Sequence, residues 1–327
     1  MTSPGPTSRK WGKITIGDEI ISPGERKRFH IPLGRLPTDA PVELPVVVVH
    51  GEHPGPCVWV SAALHGDEIN GVEIVRSMLE RVAARGFAGT LIAVPVVNVY
   101  GFLNESRYTP DRRDLNRCFP GSSKGSLASR LANLFMKEIV HHCTHGIDLH
   151  TGSDHRANLP QIRGNMQDDT TLAMARAFGA PVLMHSKNRD GTIRKAATKL
   201  GKQVLLFEGG EPQRFDEDVI EIGREGILRT LEYLQMREYD GPTATPSLEA
   251  VKSTWVRAKR AGIFRLFRNM GELIKKGDYL GSIEDILGNR SVHVRAPCDG
   301  VIIGLVANPL TYQGDAIVHI AKLDPDA

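Results

Sequence analysis

In Ala62-Ala63-Leu64-His65-Gly66-Asp67-Glu68, an imidazole and a carboxylate stand three residues apart where an apolar run gives way to a helical pattern. If the backbone turns there, the two side chains can converge on one divalent ion, and Gly66 permits the turn. An HxxE spacing alone arises often by chance. It gains weight from Gly146-Ile147-Asp148-Leu149-His150-Thr151-Gly152, where a second imidazole closes another apolar run, and from Val204-Leu205-Leu206-Phe207-Glu208, where an acid followed by two glycines does the same. In open α/β sheets ligands collect beyond the carboxyl ends of the strands, so His65, Glu68, His150 and Glu208 can meet there. Such a set supports metal-assisted hydrolysis. The ion lowers the pKa of water toward ~7, and a carboxylate beside it shuttles the proton to the leaving group.

Each residue also has a plainer reading. Asp148 precedes His150 by two residues and so shares its face of a strand; it either orients the imidazole or is an ordinary strand-end acceptor. Glu208 is either the proton shuttle or a strand-end charge facing solvent. The stretch 104–121 carries Arg107, Arg112, Arg113 and Arg117, either an anion-recognition loop, since guanidinium forks match carboxylates, or a solvated basic loop. His141, His142 and His145 span a helix end and its connection, where side chains diverge, so helix capping is the better account.

The elements that must position these residues follow from periodicity. Short Val- and Ile-rich runs at 46–49, 58–64, 91–97, 146–149 and 204–207 predict buried strands. Apolar residues at three- and four-residue spacing predict helices through Ile69 to Val82, Leu127 to Phe135 and Ile220 to Leu234. This alternation is that of an α/β domain with a sheet covered on both faces. Asp240-Gly241-Pro242 and the residues to about 250 break helix and strand alike and read as a linker. Beyond it, 251–327 alternates short strands with Gly-Asp, Gly-Asn and Asp-Gly turns, the pattern of a small all-β unit.

Composition narrows the partners. The 327 residues are 41% apolar, enough for a sizeable core, and the net charge is +3, from 41 Lys and Arg against 38 Asp and Glu. That balance argues for neither a nucleic-acid nor a membrane surface, which leaves a small molecule as the expected partner. Residues 1–13 are polar, with Pro4 and Pro6, and no apolar run approaches the ~18 residues of a membrane span; the expectation is a cytoplasmic protein. Cys57, Cys118, Cys143 and Cys298 form no CxxC pair, so free thiols are expected. The sequence leaves room for a homo-oligomer.

Taken together, His65-Gly66-Asp67-Glu68, Asp114-Leu115-Asn116-Arg117, Asp148-Leu149-His150-Thr151 and Phe207-Glu208-Gly209-Gly210 occur in the order and approximate spacing of the succinylglutamate desuccinylase/aspartoacylase family, within the zinc carboxypeptidase-like hydrolases. The chain resembles that family along nearly its whole length. The resemblance implies a zinc-carboxypeptidase-like mixed sheet flanked by helices over 1–240 and a small C-terminal barrel-sandwich domain over 251–327. It implies one Zn2+ per chain on His65, Glu68 and His150, with Glu208 as general base and then acid. Asn116 and Arg117 match the pair that binds the substrate carboxylate. Arg107 best matches the arginine that polarises the scissile carbonyl; its spacing to Asn116 is about two residues long, so Arg112 or Arg113 stays open for that role. The C-terminal unit resembles biotinyl and lipoyl carriers at 296–302 and 313–318. The stretch Glu284 to Arg290, where carriers place their modified lysine, has none. A tyrosine contributed by this domain to substrate binding would match Tyr312.

The activity so implied is hydrolysis of the amide bond of an N-acyl amino acid. Two other readings stay open: a zinc carboxypeptidase or amidase acting on a small peptide or peptidoglycan fragment, and a non-catalytic small-molecule binder that works through its β domain.

Overall fold

The computed structural model describes residues 11–324, so the polar stretch up to Lys10 lies outside the described residues. A hairpin of β1 (Ile14–Ile16) and β2 (Glu19–Ile21) leads into the long antiparallel pair β3 (Glu25–Arg35) and β4 (Pro41–His50). β5 (His53–Ser61), α1 (Asn70–Glu80), β6 (Ala88–Val94), α2 (Val99–Leu103), α3 (Leu127–Glu138) and β7 (His145–His150) follow. Next come β8 (Arg156–Gly164), α4 (Asp169–Phe178), β9 (Val182–His185), α5 (Ile193–Thr198), β10 (Gln203–Gly210) and α6 (Glu217–Tyr233). After residue 247 the described chain is all strand: β11 (Leu248–Arg257), β12 (Gly262–Leu266), β13 (Leu273–Ile274), β14 (Tyr279–Glu284), β15 (Ser291–Arg295), β16 (Gly300–Val306), β17 (Leu310–Thr311) and β18 (Ala316–Leu323).

The fold is mixed α/β. Its main sheet of 12 strands runs β13-β16-β18-β11-β9-β8-β10-β7-β5-β6-β4-β3. β7 lies at the centre, parallel to β5 on one side and to β10 on the other. These are the Val- and Leu-rich runs, and both faces of them are covered. On one face, Val60, Leu149 and Phe207 share a core with Ile74 of α1, Phe178 of α4 and Ile227 of α6; on the other, Trp59 and Val204 pack with Phe135 of α3 and Ala197 of α5. Phe178, Ile227 and Leu231 have no solvent-exposed surface, and each such side chain contributes about 1.5–3 kcal/mol by leaving water.

All five expected strands and all three expected helices are present, with shifted ends. β5 stops at Ser61 rather than at Leu64, and the chain turns at Ala63, whose φ of 46° is left-handed. Gly66, expected to supply that turn through its own flexibility, is not left-handed. A Cβ there would stand 1.9 Å from the carbonyl carbon of Gly101, so glycine is required for close backbone approach. β8 and α4 lack the periodic signal: β8 carries Arg156, Asn158, Gln161 and Arg163, while α4 is marked mainly by its ends, the Asp168 cap on Thr171 and left-handed Gly179.

The strands after residue 247 do not stand apart from the central sheet. β11 pairs parallel to β9, and β16 pairs antiparallel to β8, so β8, β9, β11, β18 and β16 close into a five-stranded ring. Leu159, Val182, Met184, Ala250, Val301, Ile303 and Ala321, drawn from all five strands, form one cluster inside it. Buried Gln161 donates from Nε2 to the Ile303 carbonyl oxygen at 3.2 Å. The second sheet, β15-β14-β12-β17, packs over Val318, Ile320 and Ile302 to make a sandwich. The four cysteines are free thiols, and no helix among the described residues is long and apolar enough to cross a membrane.

β7 is held in place by a glycine. Register sets Trp59 of β5 beside Gly146 of β7, and a Cβ at 146 would stand 2.0 Å from the indole. Gly146→Ala is therefore expected to overpack the core and destabilise the protein by about 1–3 kcal/mol. Urea denaturation would show this as a lowered midpoint, and an unchanged midpoint would contradict the packing account.

Candidate active site

The carboxyl ends of β5, β7 and β10 open on one cavity of about 390 Å³, lined by His65, Glu68, His150 and Glu208. Cα register makes Glu208 of β10 the direct neighbour of His150 on β7. His65 and Glu68 stand in the connection from β5 to α1, and the three residues His65, Glu68 and His150 offer ligand atoms that all lie within 4.8 Å of one another. The Glu68 carboxylate joins the set: Oε1 is 2.7 Å from Nδ1 of His65 and Oε2 is 2.7 Å from Nδ1 of His150. The Thr151 backbone N–H donates to the same Oε2 at 3.1 Å.

Each imidazole is also held from behind. Nε2 of His65 lies 3.1 Å from Asp114 and Nε2 of His150 lies 2.9 Å from Asp148. Ser61 in turn donates to the other Asp148 oxygen at 2.7 Å. The orienting reading of Asp148 is thus what the contacts show. Two inward Nδ1 atoms and a carboxylate, each ring fixed through its outer nitrogen by an acid, form a donor set that fits a divalent metal ion.

The electrostatics follow from burial and pairing. Burial would raise the Glu68 carboxyl, but the charges of His65 and His150 and their hydrogen bonds overcome it and hold it well below the usual carboxylate range. Burial would likewise lower both imidazoles. For His65 the Glu68 charge and the bonds to Asp114 and Glu68 reverse the sign, and for His150 the charges of Asp148 and Glu68 do so more strongly, leaving both pKa values raised.

The remaining expected residues separate clearly. Glu208 lines the cavity and accepts from Asn158 Nδ2 at 2.7 Å, with Arg163 Nη1 3.8 Å from its other oxygen. Asn116 and Arg117 sit at the rim. The Asn116 side-chain oxygen accepts from the Ile193 N–H at 3.0 Å, at the start of α5, which turns its NH2 group the other way. Arg107 also lines the cavity, with Nη1 3.2 Å from Glu68 and Nη2 2.9 Å from Asp114. Arg112 and Arg113 are exposed and do not line it, so Arg107 alone of the three reaches the cavity. Tyr312 does not line it either; it is 77% exposed in the turn after β17. His141, His142 and His145 lie at the opposite end of β7 from His150.

Sequence reasoning missed several lining residues. Arg194 of α5 is 92% buried, donates from Nη2 to Ser186 and the Lys187 carbonyl, and has no partner for Nη1; burial and then Arg163 pull its guanidinium down to about 10. Trp255 of β11 and His319 of β18 reach the cavity from beyond the linker. None stands in a ligand-like spacing, so no local signal marks them; only the closure of the ring brings them in.

An acid beside two paired imidazoles at strand ends, with a guanidinium–amide pair at the mouth, makes this a hydrolase-type site on a mixed α/β scaffold. The sequence pattern of the succinylglutamate desuccinylase/aspartoacylase catalytic domain matches residues 54–234, and the chain belongs to that family. Among curated relatives, the chain is 27% identical over 299 residues to an N-alpha-acetyl-L-2,4-diaminobutyric acid deacetylase of Halomonas elongata, covering 86% of each chain. It is 27% identical over 257 residues to a succinylglutamate desuccinylase of Pseudomonas aeruginosa, covering 72% of this chain and 70% of that one. A solved succinylglutamate desuccinylase/aspartoacylase from Rhodobacter sphaeroides superimposes with a TM-score of 0.83 at 25% identity, over 92% of this chain and 96% of that one. The ectoine utilization protein EutE (DoeB) of Ruegeria pomeroyi shares the fold, with a TM-score of 0.81 at 22% identity over 90% and 95% of the chains.

The raised imidazoles carry a consequence for metal uptake. A group whose pKa is raised keeps its proton to higher pH, so an ion taking both Nδ1 atoms must displace up to two protons. Affinity for a divalent ion is expected to fall as pH drops, by as much as about 100-fold per unit once both rings are protonated. Competition against a chromophoric chelator between pH 8 and 6 measures this; a flat profile would show that these imidazoles are not the ligands.

Proposed function

We propose that this protein is a zinc-dependent deacylase that hydrolyses the amide bond of an N-acyl amino acid, with a carboxypeptidase-like arrangement of its catalytic sheet. The observation that carries the reading is the pairing of Glu208 with His150 on adjacent parallel strands, beside the buried set of His65 and Glu68. The relatives support the reaction type, since one is named for deacetylating an N-acetylated diaminobutyric acid and another for desuccinylating succinylglutamate. A cavity of about 390 Å³ suits a small ligand better than a polymer. In this reading residues 1–240 carry the chemistry, the unit over 251–327 supplies part of the cavity wall, and the protein works in the cytoplasm.

His65, Glu68 and His150 would hold one Zn2+, which when bound supplies the Lewis acid that lowers the pKa of water toward ~7. Glu208 takes the proton of the attacking water and delivers it to the leaving nitrogen, so amide and water become a carboxylate and an amine. Asn158 holds Glu208 for that transfer through its 2.7 Å bond. The substrate carboxylate docks on Arg117 and on the NH2 group of Asn116, whose orientation the Ile193 N–H fixes. Arg107 turns a guanidinium N–H to the acyl oxygen, where negative charge develops, and so binds the transition state more tightly than the ground state.

Glu208→Gln is expected to leave zinc content at one per chain while cutting kcat by about 10²- to 10⁴-fold. Metal analysis and turnover of N-acetyl and N-succinyl amino acids on the same preparation check both halves. Near-normal turnover in the variant would remove Glu208 from the mechanism, and hydrolysis that survives complete chelation would remove the metal.

A further inference from the structure

None of the four thiols lines the catalytic cavity, and two of them touch. Sγ of Cys57 lies 3.4 Å from Sγ of Cys143, 86 positions away in sequence. Both stand just ahead of the point where β5 and β7 come into register at Val58 and His145, and Cys143 is at the end of β7 opposite to His150. The backbone fixes them side by side. The Thr144 N–H donates to the Cys57 carbonyl oxygen at 2.8 Å, and the Thr144 hydroxyl donates to the same oxygen at 3.0 Å. Both side chains pack in the core that α3 and α5 cover. Among the described residues no other two thiols make such a contact: Cys118 donates to the Asp114 carbonyl oxygen, and Cys298 packs in the C-terminal sandwich.

The two sulfurs are not equivalent. Cys143 has no solvent-exposed surface, whereas Cys57 is partly exposed. The Cys143 S–H is directed at the Ile139 carbonyl oxygen, 3.4 Å from the sulfur, which leaves a sulfur lone pair for Cys57. Burial and then the contact with Cys57 push the Cys143 thiol up, so it keeps its proton near neutral pH. A small oxidant in solution therefore meets Cys57 first. Whatever it leaves there has a second sulfur against it.

We propose that Cys57 and Cys143 form an oxidation site for a hydroperoxide, in which Cys57 takes the oxidant and Cys143 captures the product as a reversible disulfide. In the first step the Cys57 sulfur attacks one peroxide oxygen. An S–O bond forms, the O–O bond breaks, and the thiol proton leaves on the other oxygen as water or an alcohol; the sulfur is oxidised to a sulfenic acid while the peroxide is reduced. In the second step the Cys143 sulfur attacks the Cys57 sulfur, the S–O bond breaks, and the Cys143 proton departs with the hydroxyl as water. Bonded sulfurs stand about 2.0 Å apart, and from 3.4 Å that approach is within reach of side-chain rotation. Capture halts oxidation short of the irreversible sulfinic and sulfonic acids, and a small thiol restores both cysteines by exchange. The bond closes a loop that contains His65, Glu68, Arg107 and Asn116, yet it joins β5 to β7 away from the cavity. Closing so long a loop resists unfolding.

The test treats the reduced full chain with equimolar hydrogen peroxide and maps its peptides by mass spectrometry without reduction. Peptides joining Cys57 to Cys143 are expected, with a chain mass lower by two hydrogen atoms. Thiols titrated in denaturant should fall from four to two and return to four with dithiothreitol. The joined form should have a higher urea midpoint than the reduced one. Cys143→Ala should leave Cys57 as the sulfenic acid and raise its dimedone adduct severalfold over wild type, and Cys57→Ala should abolish the joined species. The wild-type map decides the matter even where a variant fails to fold. Cys57 oxidised without joined peptides, a joined pair that includes Cys118 or Cys298, or a midpoint that the bond does not raise overturns the proposal.

Discussion

A single buried carboxylate bridging two buried imidazoles is the constraint around which this molecule is arranged. Glu68 is 2% exposed, and an acid so placed would be costly to ionise without partners. It keeps its charge because two rings and the Thr151 N–H meet its two oxygens. Those rings are bound in turn to Asp114 and Asp148, so positive and negative groups alternate outward from the centre. Such a cluster is stable only if every member is satisfied at once. That requirement explains why the chain commits its three central strands, β5, β7 and β10, to one parallel register, and why small residues such as Gly66 and Gly146 stand where backbone or indole must come close.

The same register determines what each side chain can do. Glu208 and His150 are neighbours across a ladder, and the acid's distance from the imidazole cluster is therefore set by the strand spacing and not by a mobile loop. Asn116 and Arg117, by contrast, stand in a short turn, but Asn116 is tied to the first helical N–H of α5. The strand ends fix Glu208 and His150, and the turn bearing Asn116 and Arg117 is tied to the same cluster through Asp114, which meets His65.

Much of this was legible in the residues. The buried strands announced themselves as Val- and Leu-rich runs, the amphipathic helices as three- and four-residue repeats, and the site as polar residues closing those runs. What escaped has a physical cause. β8 sets Arg156, Asn158 and Arg163 against the cavity between apolar residues such as Leu159 and Ile162, so its composition lacks the Val- and Leu-rich signature of the other buried strands. Trp255, His319 and Arg194 depend on where distant strands and helices pack, and no local spacing encodes that. Tyr312 had a family position to recommend it, but the turn after β17 holds it out in solvent, while the aromatic face at the cavity comes from Trp255. Gly66 shows a subtler gap: a glycine was legible as necessary, but whether for its dihedral freedom or its lack of bulk was decided by Gly101, thirty-five positions away.

The five-stranded ring has a bearing on how rigidly the cavity is bounded. β11 and β18 bring Trp255 and His319 to the cavity, and their ladders run through β9, β16 and β8 into the same sheet as β10 and β7. The two sides of the cavity are therefore joined by continuous strand pairing and not by a hinge, so a change in width between them has to shear backbone hydrogen bonds.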